Sequence, residues 1–376
     1  MDSRILPTLR CPVCRAGLQA LAVDVEEGGG RHLIRTGVLH CPAKHWYPIV
    51  NHVPLLLTFR TPLAERFGRD HADVLAQLPG HVLPDLAPMP GEASVQKTFT
   101  EEWGGLKDDA RTFVYEDHEL LALHRDVWLR FSHEEADAVD SVLDVGCGFG
   151  KEATILSRIF PNAEVFGVDL NLSLLEAGPS LAASNPRVHP VIASLFRLPF
   201  AAESFAHVHS QGVIHHTYST HEAFKAIAAF ARAGGSLFVW VYAKEDSHVV
   251  PGMRGVAVRT YWVVSHRLGR PVLSRLPGPL RNAAMFVLAG IASPLLRLRD
   301  RRGETWRFRN TLHGLRDAFT PRYAHQHGFN EVLMWFEDAG FDARMQSPAR
   351  YRDLIGKRLV GVGVVGRRLR SGGAHP

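Results

Sequence analysis

From Ser141 onward, short runs of apolar residues alternate with amphipathic stretches. "SVLDVGC" reads as a buried strand, "KEATILSRIF" as a helix, "AEVFGVDL" as a strand and "NLSLLEAG" as a short helix. "VHPVIAS" and "SFAHVHSQGV" follow as strands, "THEAFKAIAAFARAGG" as a helix closed by its glycines and "SLFVWVY" as a strand. This alternation predicts an α/β fold, a doubly wound parallel sheet with helices on both faces, whose ligand lies beyond the C-terminal ends of the strands. Residues 247–320 interrupt it with a basic, apolar, proline-broken segment, after which "FNEVLMWFEDAGF" and "LVGVGVVGRR" resume as a helix and a strand.

Ahead of the sheet the pattern changes twice. Residues 61–97 hold Pro62, Pro79, Pro84, Pro88 and Pro90 without a helical or strand period and read as a linker in which little chemistry is expected. Residues 98–140 regain apolar spacing of three and four, a helical lead-in whose aromatics Phe99, Trp103, Phe113 and Tyr115 can line a pocket or simply pack. The expected organisation is a small domain over 1–60, the 61–97 linker, the 98–140 lead-in, a sheet domain over 141–246 and 321–370, and the 247–320 insertion.

Composition narrows this picture. A chain of 376 residues, 46% of them hydrophobic, can bury a large core. The N-terminal residues contain no apolar leader, and the longest apolar stretch, "AAMFVLAGIASPLL", is shorter than the roughly 20 residues a membrane span requires, so a soluble, cytoplasmic protein is expected. A net charge of +5 favours anionic partners without demanding nucleic acid.

Four cysteines do not make a disulfide framework in so long a chain, and three lie within the first 41 residues. Cys11 and Cys14 form one closely spaced pair and Cys41 and His45 another, together a tetrahedral donor set of three thiolates and one imidazole. Four protein ligands leave no open position, so a zinc ion there would be structural.

The second motif is "VLDVGCGFG", in which an apolar strand stops on Asp144 and passes into Gly146, Gly148 and Gly150. A dinucleotide fingerprint would need a third glycine where Lys151 stands, which argues against NAD. Asp169 ends the next strand, where a carboxylate can accept hydrogen bonds from both hydroxyls of a ribose, while free amides of the glycine loop can meet a ligand carboxylate. The expected ligand is an adenosine with an amino-acid tail.

"CPVC", "YPI" and "HVPLLL" resemble the Trm112-like zinc-ribbon module, from which Cys41-x3-His45 departs, since that module usually ends in a second Cys-x2-Cys. "VLDVGCGFG", "GVDL", "RLPFAAESF" and "SQGVIHHT", in that order, resemble class I S-adenosylmethionine-dependent methyltransferases of the type 11 kind, with their Rossmann-like sheet. The resemblance implies S-adenosylmethionine as cofactor, with Asp144, Gly146, Gly148 and Gly150 toward its methionine end, Asp169 on the ribose, Leu170 and Ser194 around the adenine, and Cys147, Leu195 and Gln211 also among its binding residues. Ser194 stands where the family usually has an acidic residue, and Ala206 where it usually has aspartate, which implies weaker cofactor binding.

His215 and His216 follow the fourth strand, where the methyl group of such a cofactor would point, and an imidazole there can act as general base or merely cap the loop. Tyr242 and His325 are placed to shape an acceptor pocket. The arginine-rich insertion suits a lid over an apolar or anionic acceptor, an interfacial helix in peripheral contact with a membrane, or a solvated helix pair. The leading expectation is methyl transfer to a small-molecule or lipid-linked acceptor. An rRNA or tRNA methyltransferase is the alternative, which the absence of a basic run in the zinc module disfavours, and a non-catalytic cofactor-binding scaffold is the third reading.

Overall fold

The computed structural model describes residues 1–28, 30–103, 115–244, 269–299, 308–356 and 361–370, with the isolated positions 256 and 263. The N-terminal module is a four-stranded antiparallel sheet, β1 (Gln19–Gly28), β2 (Arg31–His40), β3 (Trp46–Val50) and β4 (Val53–Pro54), in that spatial order.

The second sheet has seven strands. β5 (Ser141–Val145), β6 (Glu164–Asp169) and β7 (Val188–Ile192) run parallel toward one edge, and β8 (Phe205–Gln211) and β9 (Ala231–Val241) run parallel from β5 toward the other. β11 (Val362–Arg368) pairs antiparallel with both β9 and β10 (Phe341–Met345), giving the order β10-β11-β9-β8-β5-β6-β7. The strand order reverses between β5 and β8. The two strand ends diverge there into the Gly146–Gly150 loop and the Gln211–Gly212 turn, and the crevice they leave is where an open α/β sheet binds its ligand.

The central strands are apolar throughout because both faces are covered. All five residues of β7 are buried, one side lying under the N-terminal module. That module is joined to the sheet by backbone bonds. Leu55 bridges Ile192 in parallel register, Leu56 N–H donates to the Ile192 carbonyl at 2.8 Å, and Arg10 N–H donates to the Pro199 carbonyl at 2.8 Å. The Arg15 guanidinium adds bonds to the carbonyls of Leu198 and Phe200, at 2.8 and 2.9 Å.

Three sequence expectations change. The 61–97 stretch is folded in large part: Pro62–Asp70 is a helix capped by Thr61, whose hydroxyl accepts from Ala64 N–H at 3.2 Å, and a second helix begins at Glu92 and runs to Trp103. Its prolines punctuate these helices instead of marking a bare linker, since Pro62 opens the first of them, where a missing N–H costs nothing. The helix expected through the glycines ends at Ala228, and β9 already begins at Ala231. Gly234 has a φ of +74°, and a Cβ on Gly235 would lie within 3.1 Å of three backbone carbonyl oxygens, so these glycines serve a close strand approach, not a helix end. β10 and the helix Pro348–Ile355 carry too little periodicity to be foreseen. Within the insertion, the described residues form helices at Arg270–Leu273, Gly278–Arg299 and Phe308–Phe319. Among the described residues no helix is long and apolar enough to cross a membrane.

Candidate active site and metal centre

A cleft of about 870 Å³ opens at the reversal point of the sheet. Its floor is Val145 and Gly146 from the glycine loop, with Val168 and Asp169 at the end of β6; its far wall is Gln211, Gly212 and Val213; Leu195 and Phe196 close one end. The roof is the helix Glu92–Trp103, which contributes Val95, Gln96 and Phe99. Gln96 Nε2 donates to the Leu170 carbonyl at 3.0 Å, and Thr100 Oγ1 accepts from Leu172 N–H at 2.9 Å, so this helix is tied to the loop that follows Asp169. The apolar spacing of three and four that begins near this helix predicts a helical cover for the cofactor, and the contacts that dock it lie some seventy residues away.

Asp169 organises the floor. One carboxylate oxygen accepts from Gly148 N–H and the other from Asn171 N–H, both at 2.8 Å. Burial raises its pKa and these backbone donors pull it back. Each oxygen keeps a second acceptor direction, which suits a pair of vicinal hydroxyls. Gly146 has a φ of +85°, and a Cβ there would sit 2.1 Å from Val213 Cγ2. Glycine at this position therefore lets the β5 and β8 loops approach each other. Gln211 Oε1 is a buried acceptor with no donor among the described residues, on the wall of the same cleft, where an ammonium group would satisfy it.

Other expected cofactor residues stand behind this lining. Gly148 reaches the site through its N–H bond to Asp169, while Gly150, with a φ of +94°, packs against Leu181 and opens the helix Lys151–Ile159. Cys147 is buried against Gly167. Asp144 is 1% exposed, its Oδ2 lacks a hydrogen-bond partner, and burial, with Glu152 and Asp169 nearby, raises its pKa well above the carboxylate range. It lies beneath the loop and is not part of the cleft lining. Ser194 accepts from the N–H of Phe196, at 3.1 Å, capping the turn Leu195–Arg197, and Leu170, Leu195 and Phe196 line the cleft beside it.

The structure separates the two histidines. His216 lines the cleft with its ring edge-on to Phe99, centroids 5.4 Å apart. Its Nδ1 donates to the Tyr323 carbonyl at 2.8 Å, a bond that assigns the neutral ring's lone pair to Nε2. His215 is fully buried below it, 4.0 Å from the Tyr242 ring, with neither ring nitrogen hydrogen-bonded. Burial, and then the neighbouring His216, His327, Arg270 and His325, push its pKa well below the usual value. His215 is thus a packing residue, as is Tyr242 on which it stacks. His325 bonds to backbone, through its N–H to the His215 carbonyl and its Nε2 to the Thr217 carbonyl, both at 3.0 Å. Tyr115 packs with its hydroxyl 2.8 Å from that of Tyr351. Phe113 and the Trp103 side chain lie outside the described residues.

In the N-terminal module the four expected ligands converge. Cys14 Sγ lies 3.6 Å from Cys41 Sγ, and His45 Nδ1 lies 3.6 Å from Cys11 Sγ and 3.5 Å from Cys41 Sγ. Zinc–ligand bonds of about 2.3 Å to sulfur and 2.0 Å to nitrogen, arranged tetrahedrally, put sulfurs about 3.8 Å apart and sulfur about 3.6 Å from nitrogen. The spacing therefore fits that ion. Burial pushes the Cys41 thiol up to about 12, so a thiolate here calls for a cation.

Residues 142–235 match the family model described as a methyltransferase domain, and residues 2–51 match the Trm112p-like model. The chain carries a methyltransferase domain behind a Trm112p-like module. Its methyltransferase domain is similar to the ubiquinone/menaquinone biosynthesis C-methyltransferase of Syntrophotalea carbinolica, 27% identical over 146 residues that cover 39% of this chain and 57% of that one. It is also similar to the human probable tRNA methyltransferase 9B, 31% identical over 110 residues covering 28% and 22% of the two chains. The chain thus spans little more than half, or less, of the length of these relatives. Among solved structures, the complex between the Haloferax volcanii Trm112 methyltransferase activator and a methyltransferase is 13% identical with a TM-score of 0.38, covering 70% of this chain and 99% of that one.

Proposed function

We propose that the chain transfers a methyl group from S-adenosylmethionine to a small-molecule or lipid-linked acceptor, held in the cleft under the 92–103 helix. The observation that carries this reading is the convergence on one cleft of Asp169, from the end of β6, with Gln211 and His216, from the end of β8 and the turn that follows it. Asp169 would take the ribose hydroxyls, Gln211 the ammonium of the methionine tail, and the apolar wall of Leu170, Leu195 and Phe196 the adenine. S-adenosylmethionine, when bound, supplies the methyl electrophile and the thioether leaving group. The domain's own work is positioning and water exclusion, which the apolar roof of Val95 and Phe99 serves. For a hydroxyl acceptor, the new bond to the methyl carbon forms as the O–H proton passes to His216 Nε2, so His216 is assigned as general base.

Calorimetry with S-adenosylmethionine, followed by transfer of a labelled methyl group into separated lipid, metabolite and tRNA fractions, tests this. Label in the lipid or metabolite fraction, with His216→Asn reducing kcat on the order of 100-fold and leaving cofactor affinity unchanged, is the expected result. Label confined to tRNA would transfer the assignment to a nucleic-acid acceptor, and cofactor binding with no label in any fraction would make the domain a scaffold.

A further inference from the structure

The helix Gly278–Arg299 buries only a narrow stripe. Met285, Ala289 and Ser293, spaced by four, face the helix Phe308–Phe319, where Leu312 and Phe319 complete a small core. On the opposite side Leu280, Val287 and Ile291 are 61%, 63% and 60% exposed and fall on one line, and Phe286 stands beside them. No charged residue occurs between Arg281 and Arg297. A helix face turned to water ordinarily carries charges, and this one presents a broad apolar surface.

Charge gives that surface a partner. The described spans 269–299 and 308–320 hold seven arginines, with Asp317 as their sole acidic residue, an excess larger than the net charge of +5 on the whole chain. Two of the seven are turned inward, Arg270 onto the Pro321 and Tyr323 carbonyls and Arg281 onto Glu101, whereas Arg275 stands exposed ahead of the apolar run, and Arg297 and Arg299 follow that run in sequence. An apolar helix face bracketed by cations at both ends, on a helix that does not qualify as a span, matches the chemistry of an interface of anionic headgroups over acyl chains. We propose that this helix is a docking surface for an anionic phospholipid bilayer, lying flat with Leu280, Val287 and Ile291 inserted and the exposed Arg275 among the headgroups. The same helix reaches the roof of the cleft, since Arg281 lies 3.3 Å from Glu101 of the helix Glu92–Trp103. Docking would therefore hold the cleft roof at the membrane surface.

Docking of this kind does not depend on methyl transfer, and its test reads none. The full-length protein is floated with vesicles of phosphatidylcholine alone and of phosphatidylcholine with about a third phosphatidylglycerol. The variant V287E/I291E changes two side chains that touch solvent, and an unchanged thermal melt confirms that it folds. The wild type is expected to float with the anionic vesicles, to be released in large part by high salt, and to lose on the order of tenfold in partitioning as the double variant. Wild-type protein that stays in the bottom fraction with both vesicle types overturns the proposal, as does a double variant that floats equally well. A wild type that elutes as a dimer, becomes a monomer as V287E/I291E and does not float would assign the face to a second copy of the chain and equally overturn it.

Discussion

Glu152→Gln should change how stability depends on pH, and the direction follows from one buried pair. His124 is fully buried and its Nδ1 bonds to the Leu120 carbonyl at 2.9 Å, so its Nε2 carries the lone pair. That nitrogen lies 3.3 Å from Glu152 Oε2, whose side chain is 18% exposed, and among the described residues neither atom has a hydrogen-bond partner, so nothing there offsets the cost of burying a charged carboxylate. Burial pushes Glu152 up to about 8 from its ordinary 4.5, with Lys151 opposing, while burial holds His124 down at about 4. Between those two values of the glutamate, the folded chain keeps a proton that the unfolded chain releases, so its contribution to stability falls as pH rises. At about 1.4 kcal/mol per unit, and with the slope fading near the folded pKa, the loss from pH 6.5 to 8 is about 1–2 kcal/mol. The Met1 amine works against it: buried and bonded to the Ile34 carbonyl, it is pushed down to about 4 from 8.0, so its contribution rises with pH over the same range. The wild-type profile alone is therefore ambiguous, and the comparison must be between the two proteins. A glutamine side chain in place of Glu152 would mimic the protonated acid, so urea unfolding followed by tryptophan fluorescence should show the variant gaining about 1–2 kcal/mol on the wild type between pH 6.5 and 8. A difference that stays constant to within about 0.5 kcal/mol would mean that Glu152 is ionised in the folded chain and that the reasoning is wrong.

Elemental analysis should find one zinc per chain, and Cys14→Ser should lose it together with the order of the N-terminal module; metal-free protein of unchanged stability would contradict that. Asp169→Ala should weaken S-adenosylmethionine binding by about 1.5–3 kcal/mol in calorimetry, through the lost hydroxyl contacts and the released Gly148 and Asn171 amides. Gly178→Ala would put a Cβ 2.3 Å from the Asn51 carbonyl oxygen and 2.6 Å from Val53 Cγ2, so it should cost about 1–3 kcal/mol and speed proteolysis between module and sheet. An unchanged proteolytic pattern would separate that contact from the interface.

What was legible in the sequence was local. The β5 and β6 runs end on Asp144 and Asp169, the glycine loop needs positive φ at Gly146 and Gly150, and the Cys11–Cys14 and Cys41–His45 pairs sit close in sequence; each is a short-range pattern. What was missed is set by contacts beyond the local pattern, in the helices of the 61–97 stretch and in which side chains reach the cleft. Asp144 is buried beneath the loop, near Glu152 of the helix Lys151–Ile159, and not in the cleft lining. His215 and His216 are adjacent in sequence, and the Tyr323 carbonyl selects the one that keeps its place at the cleft. Pro90 and Gln96 lie in a stretch whose prolines signalled a linker, yet both line the site, since the docking of their segment depends on Leu170 and Leu172. Ser194 is the exception: a serine two residues before an amide it can cap is a local signal, and it was open to reading.

The bridge from Leu55 to Ile192 has a consequence for how the molecule is made. β7 is an outer strand of the seven-stranded sheet, and an outer strand with unpaired amides is a template for pairing with other chains. Here the N-terminal module lies on that border. Because it is synthesised first, it can fold before β7 leaves the ribosome, and the border meets its cover as it forms. A chain made without its first sixty residues, or starved of zinc during synthesis, is then expected to aggregate through β7 even though every cofactor-binding residue is intact.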